Sequence, residues 1–172
     1  MSRKYAPGVW VEVHDKMQPD YRYLLEARAG RDFADGFTPH FTPKEMLAHG
    51  VFEGKYLNDC RSEFPASWYR GAKLSEEPDP GINYFGIKSR QPLGVWREKG
   101  WIIGDDPRGW FQWYCRYSLG RRDPVVDAAQ IRRWKGIVRH AAQIRKNCDP
   151  GDLACRPRQR QALLQWAWPP FE

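Results

Sequence analysis

The chain of 172 residues carries 28 Lys and Arg against 21 Asp and Glu, a net charge of +7, with 41% hydrophobic and 15% aromatic residues. This length fits one domain, and the apolar share supports a packed core, which excludes wholesale disorder. No apolar run approaches the roughly 18 residues of a membrane span, and the N-terminal stretch Met1–Pro7 lacks the apolar segment of a secretion signal. An intracellular location, cytoplasmic or nuclear, is therefore expected, with no membrane partner.

In chain order, Val9-Trp10-Val11-Glu12-Val13 alternates at period two and predicts a strand, with Tyr21-Arg22-Tyr23-Leu24-Leu25 as its partner. The Gly- and Pro-rich stretch from Gly30 to Pro43 predicts an ordered loop, because Phe33, Phe37 and Phe41 need burial. Thr42-Pro43-Lys44-Glu45 combines an N-cap hydroxyl, a proline in the first turn and a capping-box glutamate, and Gly50 stops that helix. A short helix is expected from Lys55 to Arg61, ending before Phe64-Pro65. Residues 75–81, with three acids, two prolines and a glycine, form the most loop-like stretch and the place for any internal boundary.

Pro92 opens a helix through Lys99, closed by Gly100, and Asp106-Pro107 opens another, closed by Gly120. Asp123-Pro124 opens the longest, to about Lys146, and the last runs from near Pro157 to before Pro169-Pro170. The expected architecture is α+β but predominantly α-helical. It is a compact single domain of about six helices (the helical part 41–172), with a small β element within residues 1–40.

Cys60, Cys115, Cys148 and Cys155 show no CxxC pairing, and His14, His40, His49 and His140 follow no ligand spacing. No metal or other cofactor is expected. Cys148 and Cys155 flank the turn Asp149–Asp152 and are expected as thiols in a reducing compartment.

Charge is unevenly distributed. From Pro107 onward there are 13 Lys and Arg against 5 Asp and Glu, while the preceding residues hold 15 against 16. Concentrated positive charge gains by releasing counterions from phosphates, so a polyanionic partner, DNA or RNA, is the leading expectation. Arg121, Arg122, Arg132, Arg133 and Arg139 lie on or just ahead of the long helix, which has almost no acids to pair with them. Arg156, Arg158 and Arg160 crowd the start of the last helix, where the dipole opposes cations, so internal acids such as Asp149 and Asp152 or an external anion must compensate.

Trp110, Trp113, Tyr114 and Tyr117 fall on one stripe at helical spacing, a pattern of cores more than of stacking platforms. Arg108, Gln112 and Arg116 form a separate edge, facing solvent or ligand. Trp110, Trp113 and Trp134 are the stacking candidates where exposed.

The catalytic candidates are Lys55, Asp59, Cys60 and Glu63. Lys55 and Asp59, at i and i+4 of the expected helix, form either an amine nucleophile with its acid–base partner or an ordinary surface ion pair. Neither a glycine-rich phosphate loop nor a nucleophile elbow is present.

The strings Phe41-Thr-Pro-Lys-Glu-Met-Leu47, Gly50-Val-Phe-Glu-Gly-Lys-Tyr-Leu-Asn-Asp-Cys60, Gly109-Trp-Phe-Gln-Trp-Tyr-Cys-Arg-Tyr117 and Cys155-Arg-Pro-Arg-Gln-Arg-Gln-Ala-Leu-Leu164 resemble an uncharacterised family of hypothetical proteins of bacteria, fungi and plants. The resemblance implies one continuous domain and brings no activity, cofactor or fold with it. Three readings stand at this point. They are nucleic-acid binding (with DNA or RNA processing or repair as its setting), an enzyme acting on a small anionic substrate or nucleobase, and a docking subunit of a larger assembly.

Overall fold

Period-two burial builds the N-terminal hairpin. Strand β1 (Trp10–Val13) pairs antiparallel with β2 (Tyr21–Leu24), Trp10 opposite Leu24 and Val13 opposite Tyr21. Val11, Val13 and Tyr23 turn inward, while Arg22 lies 4.6 Å over the exposed Trp10 ring. The computed structural model describes residues 3–172; Met1 and Ser2, part of the N-terminal stretch read above, lie outside them.

Helix α1 (Pro43–His49) starts on the expected capping box: the Glu45 N–H donates to Thr42 Oγ1 at 3.2 Å, and the Thr42 N–H to Glu45 Oε2 at 2.7 Å. The helix expected from Lys55 to Arg61 does not form. Gly50, Phe52, Glu53 and Gly54 all take positive φ, and single 3₁₀ turns at Phe52–Gly54 and Arg61–Glu63 replace it. Asn58 donates to the carbonyls of Gly54 and Ser75. Local helix propensity yields there to side-chain capture of the backbone.

Helix α2 (Leu93–Glu98) is short, and α3 (Trp110–Leu119) is the centre of the molecule, with all ten residues buried. It starts at Gly109, three residues beyond the Asp106 signal. The aromatic stripe is core, as its spacing predicts: Phe37 brings its ring within 5.9 Å of Trp113, Tyr114, Tyr117 and Trp134. The edge of Arg108, Gln112 and Arg116 faces neither solvent nor an open surface; all three are buried.

The long C-terminal helix is two helices, α4 (Pro124–Gly136) and α5 (Val138–Asn147). The break falls at Gly136-Ile137, where the Ile137 N–H bonds to Trp134 and the His140 N–H to Ile137, both i to i−3. Beyond this break α5 packs along α6 (Pro157–Gln165), with Ala141, Ile144 and Leu163 as a second small core. Cys148 and Cys155 are bonded as a disulfide across the α5–α6 turn, with Cα atoms 5.8 Å apart. The thiol expectation is thereby corrected: the two helices bring these residues within bridging reach. Among the described residues no helix is long and apolar enough to cross a membrane.

Gly120 joins hairpin to core. Its carbonyl accepts from the Glu26 and Ala27 N–H groups at 2.8 and 3.0 Å, its φ is 121°, and an added Cβ would lie 2.1 Å from the Ala27 carbonyl oxygen. Gly120→Ala therefore combines left-handed strain with a backbone clash, and an expected loss of at least about 2 kcal/mol is measurable by urea denaturation.

Candidate functional site

The charged groups sort into two sets, one buried and paired, the other open. Arg116 uses all five of its N–H groups: Nε and Nη2 to the Glu63 carboxylate (2.7 and 3.1 Å), Nη1 to Asp106 Oδ1 and the Asp105 carbonyl (3.1 and 2.8 Å), and Nη2 also to Gln18 Oε1 at 2.7 Å. Arg121 holds the other Asp106 oxygen at 2.5 Å, and the Tyr23 hydroxyl donates to Glu63 at 2.9 Å. Burial works against the Arg116 charge, yet its hydrogen bonds to Glu63 and the Glu63 and Asp106 charges outweigh it and hold its pKa above the ordinary value.

This network absorbs much of the catalytic set. Glu63 is the central carboxylate of the core, not a cleft acid. Cys60 is buried with its thiol toward the Leu57 carbonyl, and burial, the largest cause, pushes it up to about 12, far from a thiolate at neutral pH. Asp59 pairs with Arg108 at 3.2 Å, and the exposed Lys55 with Glu77 at 3.0 Å. Among the described residues, none of the four lines the pocket beside the β-hairpin or the cleft between α2, α4, α5 and α6. Glu63→Gln leaves the Arg116 charge short of a partner, and a loss of about 3–5 kcal/mol is expected in chemical denaturation; a loss below about 1 kcal/mol would mean the network is solvated.

The arginine candidates divide in the same way. Arg121 is buried at Asp106. Arg122 stacks 3.7 Å over the Tyr117 ring and donates to the carbonyls of Tyr117, Arg121, Arg31 and Asp32. Arg160, fully buried, donates to the carbonyls of Cys155, Asp152, Pro170 and Glu172, pinning the C-terminal tail to the α5–α6 turn. Arg121 and Arg160 are buried among internal partners, and Arg122 is half-buried with both terminal nitrogens on main-chain carbonyls. The compensation expected for the arginines of α6 comes, for Arg160, from main-chain carbonyls rather than from Asp149 or Asp152 side chains. Arg132 and Arg156 are exposed, Arg156 bonding Gln159 at 2.8 Å. Of the stacking candidates, Trp113 and Trp134 are buried in the core. Trp110 is buried too, its ring 4.6 Å from Trp166.

The remaining candidates, Arg133, Arg139 and Arg158, meet in one cleft of about 780 Å³ between α2, α4, α5 and α6. Phe52, Tyr56, Trp96, Trp101, Trp110, Phe111 and Trp166 supply aromatic surface, and Lys88, Arg90, Arg133, Arg139 and Arg158 supply charge, while no Asp or Glu lines it. Arg90 is neutralised by the buried Glu53. Lys88, Arg139 and Arg158 are exposed, and together with Arg133 they form no ion pair among the described residues. Burial lowers the Arg133 pKa, as expected of a half-buried guanidinium with no facing carboxylate.

Trp96 and Trp101, half-buried and 36% exposed, line this cleft, and residue spacing did not single them out. The available signal is that α2 has no buried residue, so its tryptophan is not explained by a core. Gly109 makes room: a Cβ there would lie 3.2 Å from the Trp96 ring. Phe52, which forms part of the wall, belongs to a left-handed pair with Glu53 whose N–H groups are held by Gln165 and Asn83. No group of three or more His, Cys, Asp or Glu among the described residues is placed to hold a metal ion.

His140 lines the cleft on α5. Gln159 Oε1 accepts from Arg156, which turns its amide nitrogen toward His140 Nδ1 at 3.3 Å. Nδ1 is then the acceptor and the ring proton sits on Nε2. Burial first, and Arg139 second, lower the His140 pKa below its ordinary 6.5. The unfolded chain therefore binds more protons as pH falls below about 6.5, and stability declines there. Thermal melts at pH 7.5 and 5.5 should show this decline, smaller in His140→Gln.

No protein-family model, curated protein or solved structure matches the chain.

Proposed function

We propose that this protein binds single-stranded nucleic acid in the cleft between α2 and the α5–α6 hairpin. The observation that carries the reading is the lining: an aromatic wall in which Tyr56, Trp96, Trp101 and Trp166 keep exposed surface, and four unpaired cations with no Asp or Glu, in one concavity. Phosphates are met by unpaired guanidinium and ammonium groups, and unstacked bases by ring faces, the combination that non-specific single-strand binders use. A duplex hides its base faces and gains only from the charges. The competing reading, a small anionic ligand, draws on the same cleft, whose volume lies within the usual range for small-molecule sites. An acid–base reaction there lacks the carboxylates it was expected to draw on, since Glu63 and Asp59 face other partners.

Fluorescence anisotropy of labelled single-stranded and duplex oligonucleotides at two salt concentrations tests the reading. With the four unpaired cleft cations engaged, the single-strand slope of about −0.7 per phosphate gives a roughly 50-fold weakening between 50 and 200 mM salt. Reversing Arg139 and Arg158 together (R139E, R158E) should weaken every sequence alike and flatten that slope. Binding that ignores salt, or a preference for duplex, counts against it.

A further inference from the structure

Within the proposed cleft, most of the neutral side-chain hydrogen-bonding groups already have internal partners. Gln165 accepts from the Phe52 N–H and from Gln161 and donates to the Ser89 carbonyl. Ser89 donates to the Arg158 carbonyl, and Gln159 lies between Arg156 and His140. The Tyr56 hydroxyl donates to the Arg108 carbonyl and accepts from the Gln112 N–H. Reading a base edge takes several free, fixed donors and acceptors, and among the neutral side chains here the exposed Gln91, the His140 Nε2–H and indole N–H groups are what remains, with Gln91 as the acceptor among them.

Arg133 is the opposite case. Its Nη1 alone makes the internal bonds, to the Trp101 carbonyl at 2.8 Å and Gln130 Oε1 at 2.9 Å, and its guanidinium lies 5.3 Å from the Trp166 ring centroid. The head group is thereby fixed, while the Nε–Nη2 edge makes no hydrogen bond among the described residues. That edge presents two parallel donors, the geometry that matches two oxygens of a phosphate. The Trp101 carbonyl held by Arg133 belongs to the same residue whose ring is open to the cleft, so the anchor and a stacking face are tied together.

Resting on the strand-binding reading and deepening it, we propose that the cleft contains a one-nucleotide subsite, indifferent to base, in which the Nε–Nη2 edge of Arg133 anchors the phosphate and Trp96 or Trp101 stacks the base. A mononucleotide is then a sufficient ligand, and it competes with a strand.

Isothermal titration with AMP, GMP, CMP and UMP, with adenosine, and with inorganic phosphate tests this, together with displacement of a labelled oligonucleotide by AMP. The four monophosphates are expected to bind within about threefold of one another, and AMP at least about tenfold more tightly than either adenosine or phosphate alone. Arg133→Lys keeps the charge but loses the paired donors and should weaken AMP about tenfold. Trp101→Ala, at an exposed position, should weaken AMP by a similar factor, with a melting temperature near wild type showing that the fold is kept. A base preference above tenfold, unchanged AMP binding in Arg133→Lys, or phosphate binding as tightly as AMP would each overturn the assignment. An oligonucleotide that binds but is not displaced by AMP overturns the subsite and leaves strand binding standing. AMP binding with no oligonucleotide binding leaves the subsite standing and removes the strand.

Discussion

Two arginines and two carboxylates, Arg116 and Arg121 with Glu63 and Asp106, are shut inside the molecule around Tyr21 and Tyr23. Taking four charges out of water is costly unless every donor and acceptor finds a partner. Here Arg116, on α3, finds five acceptors, drawn from the β1–β2 turn, the 3₁₀ turn at Glu63 and the loop before α3. These segments are far apart in the chain, so the network assembles only when all are in place. The hairpin and the central helix thus share one all-or-none constraint.

That constraint also sets which charges face outward. The basic excess of the C-terminal part is real in composition but divided in space. Arg108, Arg116 and Arg121 are held by carboxylates, Arg122 and Arg160 by main-chain carbonyls, and what remains gathers around the cleft and on the outer faces of α4 to α6. Acids concentrated in the N-terminal part cross the molecule to meet arginines of the C-terminal part (Glu63 to Arg116, Asp15 and Asp59 to Arg108). The residual positive surface is therefore narrower than the charge count suggests, and better focused.

The cleft depends on a bend and two fastenings. The helix breaks at Ile137 and α5 runs along α6, the Cys148–Cys155 bridge closes the turn between them, and Arg160 ties the tail across it. Gln161 and Gln165 of α6 reach the left-handed segment at Gly50–Glu53, through the Gly50 carbonyl and the Phe52 N–H. The aromatic wall and the basic rim are held in register by these buried amides, which is also why so few neutral groups are left to face a ligand.

Much of the fold can be read from local chemistry. The strand pair, the capping box at Thr42, the N-cap at Asp123, the glycine stop at Gly120 and the core stripe of α3 each follow from interactions within a few residues, and sequence order records those. The basic C-terminal bias and three of the cleft arginines were also visible there. Tertiary structure alone decided the rest. It determined that Lys55 and Asp59 turn to different partners, that Cys148 and Cys155 meet, that Trp96 and Trp101 rather than Trp113 and Trp134 face a cavity, and which arginines are free. Each of those outcomes turns on which distant atom lies within about 3 Å of a side chain. Spacing along a chain does not carry that distance; only the packed arrangement of its elements does.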